Sequence, residues 1–318
     1  MLDRHATLTT IAAFSTHNPL LYWTSNQYQE LYVVRRSMSP RLDFEAEAIY
    51  QYPEHLRPSL AELPRAPGVY IFHGESETLP LYIGKSINLR ARVMSHLRTP
   101  GEAAMLRQAR HITFTRTAGE LGALLLEAQM IKAQQPLFNK RLRRNRQLCS
   151  LLISGSRPEV VYAKEVDFSH TPHLYGLFAN RRAALEKLKS IADEQRLCHG
   201  LLGLEKLSAG RACFRAALKR CAGACCGLEP VDDHNARLLE SLSHLQVVCW
   251  PWRGPVAVKE QTEDMVQYLI IDNWVWLGTV DSLDDAARLT RASPGFDHDG
   301  YKILCRPLIR AEQDIIEL

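Results

Sequence analysis

The chain has 318 residues, 46% of them hydrophobic and 23% charged, with a formal net charge of +4. This length allows two or three domains with buried cores, and the composition is ordinary for a globular protein. No apolar run approaches the roughly 20 residues that cross a bilayer, and the first residues make a poor signal peptide. We therefore expect a cytoplasmic protein that does not bind membranes.

The charge is unevenly distributed along the chain. Residues 81–146 carry thirteen Lys or Arg against three acids, whereas residues 227–318 carry eight basic and sixteen acidic residues. A basic segment suits a polyanion such as nucleic acid, although a solvated basic face explains the excess alone equally well. The end of the segment favours phosphate binding, because Arg dominates there and binds phosphate through two N–H groups. The predicted DNA-binding residues are Lys140, Arg141, Arg143, Arg144 and Arg146.

Composition and pattern divide the chain into five segments. Residues 1–37 are polar and aromatic without a sustained period, which predicts a disordered extension or a start site assigned too far upstream. Residues 38–63 become amphipathic and predict a helical lead-in that ends at Pro64. Residues 64–147 form the segment described next, residues 148–245 combine a linker with a cysteine-rich module, and residues 246–318 predict a β-rich domain. The predicted fold class is α/β in the α+β arrangement.

The segment 64–147 opens with two short apolar runs. Residues 68–70 read Gly-Val-Tyr, residues 82–84 read Tyr-Ile-Gly, and the stretch between them is polar and rich in turn formers. This pattern predicts a β-hairpin with a long loop. Helical spacing then predicts helices over 87–97 and 103–110, and alternation predicts a strand over 112–116.

A third helix of this segment holds an acid among apolar side chains. Thr117 and Glu120 have the spacing of a capping box, and residues 121–134 are apolar on nearly every side, which predicts a buried helix. Glu127 lies inside that run, and a buried carboxylate is costly unless it is paired or holds a metal. A single carboxylate is a sparse set of protein ligands, but it is sufficient for Mg²⁺, because this ion keeps several waters and binds substrate phosphate. Arg92 would either pair with that phosphate or neutralise Glu127 in a structural salt bridge. Taken alone, the salt bridge is the more ordinary interpretation.

Seven positions in this order resemble the GIY-YIG nuclease family over residues 64–140. The resemblance implies a small central sheet flanked by helices, and hydrolysis of a phosphodiester with one metal ion. Two glycines would keep side chains away from the tyrosines or the DNA. The positions are Gly68, Tyr70, Tyr82, Gly84, Arg92, Glu127 and Asn139.

The same resemblance assigns a role to each polar position. Glu127 would hold Mg²⁺ or Mn²⁺, and Tyr70 or Tyr82 would be the general base. A tyrosine with a pKa near 10 needs a cation such as Lys85 to favour its phenolate. Arg92 would stabilise the charge of the transition state, and Asn139 would brace the site.

Beyond the nuclease-like segment, short elements alternate. Strands are predicted over 148–153 and 160–163, and helices over 181–193 and 232–245. The last segment predicts strands over 247–250, 256–259, 268–272 and 274–278, with one helix over 282–290.

Five of the eight cysteines lie between positions 198 and 226. Cys198, Cys213, Cys221 and Cys225 are 15, 8 and 4 residues apart. Thiols gathered this way in a reducing compartment are typical of Zn²⁺ or iron–sulfur ligands. The absence of paired CxxC motifs leaves scattered buried thiols open as an alternative.

The cysteine module widens the resemblance to the UvrC family of nucleotide excision repair. The segments LLLEAQMIK and PLFNKRLRR precede it, and residues 296–304 (FDHDGYKIL) resemble the short members of that family. The resemblance implies a four-iron, four-sulfur cluster on the four cysteines. It also implies action with UvrB on damaged double-stranded DNA, and induction in the SOS response. Since we find no second nuclease half, it implies one incision, on the 3′ side of the lesion.

Three other functions compete with this hypothesis. The first is a DNA-binding scaffold of the same fold that has lost cleavage, which the intact polar positions disfavour. The second is a restriction or homing endonuclease, which usually carries a sequence-reading module that this chain lacks. The third is a redox protein, which the absence of CxxC disfavours.

Overall fold

The computed structural model describes residues 52–76, 78–139, 148–155, 157–207, 211–289 and 295–318. The predicted extension 1–37, most of the lead-in 38–63 and the DNA-binding cluster 140–146 lie outside the described residues. Three small antiparallel sheets with flanking helices confirm the α+β class. Over the described ranges, no helix is both long enough and apolar enough to cross a membrane.

The first domain contains a three-stranded sheet in the order β2-β1-β3. The predicted hairpin is confirmed, with Tyr70 on β1 opposite Gly84 on β2. Both neighbours of the central strand are antiparallel to it. The elements are α1 (Arg57–Glu62), β1 (Gly68–His73), β2 (Tyr82–Ser86), α2 (Leu89–His96), α3 (Ala103–Gln108), β3 (His111–Arg116) and α4 (Glu120–Gln134).

The central strand β1 is buried on both faces, because successive side chains of a strand point to opposite sides. Tyr70 and Phe72 join the core that contains Val93 of α2. Val69 and Ile71 pack on the other side against Ile131 of α4. Helices therefore cover the sheet on both faces.

The capping-box prediction is wrong. Helix α4 begins at Glu120 with Gly119 as its N-cap, and no side chain of its own segment caps it. The Thr117 hydroxyl donates to the Gly119 carbonyl instead. The cap comes from the last domain, where the Glu260 carboxylate accepts the N–H groups of Leu121 and Gly122 at 2.8 and 2.9 Å.

The second domain packs another sheet, in the order β5-β4-β6, against helices. Strand β6 was not predicted, because Gly176 in its middle (φ +75°) interrupts a short apolar run. The elements are β4 (Cys149–Ile153), β5 (Pro158–Tyr162), β6 (Leu174–Phe178), α5 (Arg181–Glu194), the single turn α6 (Phe214–Ala217) and α7 (Val231–Leu242).

The third domain is a four-stranded sheet in the order β10-β7-β8-β9 with one long helix. The predicted strand over 247–250 is wrong, because the Val247 and Trp250 N–H groups donate to Leu174 and Ser169 outside any ladder. The helix predicted over 282–290 is a 3₁₀ segment, Leu283–Arg288, and α8 was missed. The elements are β7 (Val256–Gln261), β8 (Val266–Asp272), β9 (Val275–Val280), α8 (His298–Ile309) and β10 (Asp314–Glu317).

The third domain holds α4 along its length. Leu121 and Leu125 of α4 belong to the core that contains Trp274 and Tyr301. Near the C-terminal end of α4, the Lys132 ammonium lies 2.6 Å from Asp297 and 2.9 Å from Asp299. These two acids belong to the FDHDGYKIL segment, which therefore contributes to the attachment of the helix. Together with Glu260, they fix both ends of the helix that carries Glu127.

Candidate active site

The hairpin and helices α2 and α4 bring two phenols, a guanidinium and a carboxylate together. The rings of Tyr70 and Tyr82 lie with their centroids 6.2 Å apart. Arg92 is a hydrogen-bond donor to the Tyr70 hydroxyl, and the charges of Arg92 and Glu127 both act on the two phenols. The structure thus gathers four of the predicted polar residues in one place.

The two glycines make close approaches possible. A Cβ on Gly84 would lie 2.3 Å from the Tyr70 hydroxyl oxygen and 2.8 Å from the Tyr82 ring. A Cβ on Gly68 would lie 2.2 Å from the Thr115 carbonyl oxygen of the neighbouring strand. Gly84 thus leaves room for the tyrosines, whereas Gly68 leaves room for the backbone of β3.

Glu127 lies at the base of the site. Its Oε1 accepts the Lys85 backbone N–H at 3.2 Å. Burial raises the pKa of Glu127, while that hydrogen bond and the charges of Lys85 and Arg92 oppose the increase. The oxygen atoms of this half-buried carboxylate fit Mg²⁺ or Mn²⁺, which prefer oxygen ligands.

Among the residues that the structure describes, Arg92 and Glu127 do not form a direct ion pair. Its guanidinium bonds to Tyr70, and the residue is solvent-exposed. The structural salt bridge considered above is therefore absent from this geometry. An exposed guanidinium beside a carboxylate and two phenols can contact a phosphate through the N–H groups that Tyr70 does not use.

Sequence reasoning missed two site residues, His96 and Glu102. The Tyr70 hydroxyl lies 2.6 Å from His96 Nε2, and His96 Nδ1 bonds to the Glu102 carboxylate. Because a carboxylate can only accept, Nδ1 carries the proton and Nε2 accepts from Tyr70. Burial lowers the pKa of His96 despite the opposing effect of Glu102, which favours the neutral ring. The one available signal was spacing, since His96 follows Arg92 by one helical turn.

The surroundings of both tyrosines disfavour the phenolate form. Burial raises the pKa of Tyr70, and Arg92 lowers it only in part. Burial and then the charge of Glu127 raise the pKa of Tyr82. Tyr70 is 1% exposed, whereas Tyr82 is only half-buried. Tyr82 is therefore the phenol that solvent reaches more readily.

Lys85 and Asn139 contact the site mainly through the backbone of β2. The Lys85 ammonium pairs with Glu120 at 2.5 Å, so the cation that hydrogen-bonds to Tyr70 is Arg92, and Arg92 acts on Tyr82 only through its charge. The Asn139 amide accepts from the Ile83 N–H and donates to the Ile83 carbonyl, both at 2.9 Å. This pair of bonds extends the edge of the sheet by one residue, an arrangement suited to bracing the hairpin.

The four predicted cysteine ligands converge in the second domain. The sulfur atoms of Cys198, Cys213, Cys221 and Cys225 all lie within 4.8 Å of one another. Burial raises the pKa of Cys221 to about 11. Burial also opposes ionisation of Cys225, but the Cys213 N–H and neighbouring thiols lower its pKa overall. A set of four soft sulfur donors fits a thiolate-bound Zn²⁺ or an iron–sulfur cluster.

Three family models match consecutive parts of the chain. The UvrC-like GIY-YIG domain matches residues 66–140, the UvrC/Cho excinuclease middle domain matches 148–244, and the excinuclease Cho C-terminal domain matches 255–318. The fold and the first of these matches define an endonuclease of the GIY-YIG class.

Curated relatives identify the family. Excinuclease Cho of Escherichia coli K12 is 68% identical over 286 residues, which cover 90% of this chain and 97% of that protein. UvrABC system protein C of Nitratidesulfovibrio vulgaris is 35% identical over 59% of this chain and 28% of its own length. Among solved structures, the GIY-YIG endonuclease domain of UvrC from Thermotoga maritima, bound to its catalytic magnesium, is 33% identical with a TM-score of 0.24. That match covers 26% of this chain and 93% of that one.

The chain belongs to the excinuclease Cho family and is a DNA-repair endonuclease. The non-cleaving scaffold, the restriction or homing endonuclease and the redox protein are therefore set aside.

Proposed function

We propose that this protein nicks damaged double-stranded DNA on the 3′ side of a lesion by hydrolysing one phosphodiester bond. The observation that carries the proposal is the convergence of Glu127, Arg92, Tyr70 and Tyr82. The described residues contain one such centre, which supports a single incision. Since the substrate is the DNA of the cell, we place this reaction in the cytoplasm.

Glu127 is the proposed ligand of the divalent cation, Mg²⁺ or Mn²⁺. The cation would stabilise negative charge on the scissile phosphate and on the leaving oxygen. Arg92 would add a second positive charge from the solvent side. Its planar guanidinium can donate two parallel hydrogen bonds to phosphate oxygens, which fixes the orientation of the substrate.

Tyr82 is the proposed general base. Tyr70 is almost completely buried and its hydroxyl proton is directed to His96, so it is poorly placed to receive a proton from water. Tyr82 is the more accessible phenol and lies beside Tyr70. The chain Tyr70–His96–Glu102 would then orient the phenols and accept positive charge as the proton moves.

The cysteine set is proposed to hold a metal centre, with a four-iron, four-sulfur cluster as the first expectation and Zn²⁺ as the alternative. The donor set accommodates either, and the family resemblance favours iron. Anaerobic purification followed by an absorption spectrum and metal analysis distinguishes them. Broad visible absorption with about four irons per chain would support the cluster, and one zinc per chain would refute it.

UvrB is the proposed partner, and induction in the SOS response is the proposed regulation. Both rest on the resemblance to the UvrC family. The predicted basic cluster, Lys140, Arg141, Arg143, Arg144 and Arg146, remains the proposed path of the DNA backbone towards the centre.

The test is a nicking assay on a duplex that carries one bulky adduct, with each strand end-labelled in turn. We expect a nick 3′ of the adduct that requires UvrB and Mg²⁺ or Mn²⁺. Glu127→Gln should abolish the nick while DNA binding persists, whereas Glu62→Gln, an exposed acid of the same domain, should not change it. A nick on the 5′ side, or normal nicking by Glu127→Gln, would refute the proposal.

A further inference from the structure

The cysteine module exposes a large aromatic side chain in a basic setting. Phe214, which directly follows the thiol residue Cys213, is 74% exposed. Leu218, one turn later and 51% exposed, accompanies it at the end of α6, where its N–H bonds to the Phe214 carbonyl. Their exposed apolar area contributes nothing to the core, so its use lies outside the fold.

The cations around this pair are available to a partner. Residues 211–220 contain four Arg or Lys and no acid. Arg215 pairs with Asp193. Arg211, Lys219 and Arg220 are exposed, and they form no ion pair with any residue that the structure describes. The run thus places three exposed positive charges within six residues of Phe214 along the chain.

Charge decides which occupant fits this surface. Three exposed cations that pair with no described acid are complementary to a polyanion, and the enzyme acts on DNA. Asp232 and Asp233 at the start of α7 are exposed and would repel phosphate, so the proposed surface does not include them. A purely apolar protein-docking face would not require the charges.

We propose that Phe214 and Leu218, with Arg211, Lys219 and Arg220, form a second DNA-contacting surface, separate from the nuclease centre. The cations bind backbone phosphates, and Phe214 inserts between or stacks on bases that the lesion has already loosened. Apolar wedges of this kind unstack base steps, and aromatic rings stack on any base without reading sequence. The inference rests on the lesion-bearing duplex of the proposed function.

The experiment measures binding of the full chain, in the Glu127→Gln background, to a fluorescent duplex with one bulky adduct. We expect Phe214→Ala to weaken binding roughly tenfold, a typical loss for one stacked base. The control Leu228→Ala removes a side chain that is 80% exposed but lies outside the basic run, and it should bind normally.

Salt dependence tests the cations. Lys219→Ala/Arg220→Ala should flatten the slope of log affinity against log salt by about 1.8, because each phosphate contact contributes about 0.9. The control pair Arg182→Ala/Lys189→Ala removes two exposed cations from α5 of the same domain and should leave the slope unchanged. Circular dichroism and the metal content of each variant check that the module is intact.

Unchanged affinity in Phe214→Ala together with an unchanged slope in the double variant would overturn the proposal. Loss of UvrB binding with DNA binding intact would also overturn it, and would assign the surface to a protein. If the wild type fails to nick the adduct but binds it through Phe214, the proposed function fails while the surface stands.

Discussion

The nuclease centre and the cysteine module each gather side chains suited to a metal, but on different scaffolds. Tyr70, Tyr82, Arg92 and Glu127 stand on strands and helices of ordinary length. The four thiols lie in a region whose regular elements between α5 and α7 are the four-residue α6 and a short 3₁₀ turn, over the residues described there. A hydrogen-bonded scaffold holds its site before any ligand arrives. We expect the cysteine module to depend for its order on the proposed metal centre, as small metal modules do.

The largest effect expected from this comparison is at Arg92. Arg92→Ala should reduce nicking about 10³-fold, the loss typical of removing one preorganised donor to transition-state charge. The melting temperature should stay within about 2 °C, because the exposed side chain is not part of the core. Single-turnover nicking and thermal unfolding measure the two quantities, with Arg98→Ala as the exposed control. A large loss of stability would show that this centre also depends on its polar groups for folding.

The next prediction concerns the thiols. Cys213→Ser should remove the metal centre and lower the melting temperature by about 5 °C or more, since bound metal stabilises only the folded module. Cys226→Ser, an exposed thiol outside the set of four, should keep both metal and stability. Metal analysis and calorimetry test this. If the two variants had the same metal content and melting temperature, the cysteine module would not depend on metal in the way that distinguishes it from the nuclease centre.

A smaller effect is expected at His96. His96→Phe should lower the nicking rate about tenfold, because Tyr70 loses its acceptor while the ring volume is kept. In the wild type, the logarithm of the rate should rise by about one per pH unit over the neutral range, since raised tyrosine pKa values keep the base mostly protonated there. A pH–rate profile of both proteins is the measurement. A profile that is flat in the wild type would exclude a tyrosine base.

The smallest effect is expected at Glu260, which joins the domains. Glu260→Gln leaves one acceptor for two N–H groups, so the free energy of unfolding should fall by about 1–2 kcal/mol. Because the capped helix carries Glu127, the Mg²⁺ concentration for half-maximal nicking should rise a few-fold. Glu263→Gln, an exposed neighbour, is the control. An unchanged Mg²⁺ requirement with lowered stability would make the cap purely structural.

Local pattern was sufficient for the elements whose signals lie within one segment. The hairpin of β1 and β2 and the apolar run of α4 were predicted because period and turn residues are local properties. The convergence of the four cysteines followed from their spacing and the resemblance. Strand β6 was not predicted because its central glycine weakens the periodic signal, and helix α8 was not predicted because of its internal proline.

Long-range partners account for the remaining errors. The cap of α4 is the Glu260 carboxylate, which lies 139 residues after Leu121, whose N–H it accepts. The local pair Thr117 and Glu120 has the spacing of a capping box and led to the wrong prediction. His96 and Glu102 were missed for a related reason, because neither belongs to a recognisable motif. Their role emerges only when Tyr70 is placed against α2.

The Glu260 cap also has a consequence for the order of events during translation. Strands β1 to β3 and helix α4 leave the ribosome well before residue 260, so at that time the first turn of α4 lacks its acceptor. N-terminal domains generally fold first during synthesis. The nascent nuclease domain therefore lacks the cap of its catalytic helix until Glu260 has been synthesised and the domain that carries it has folded.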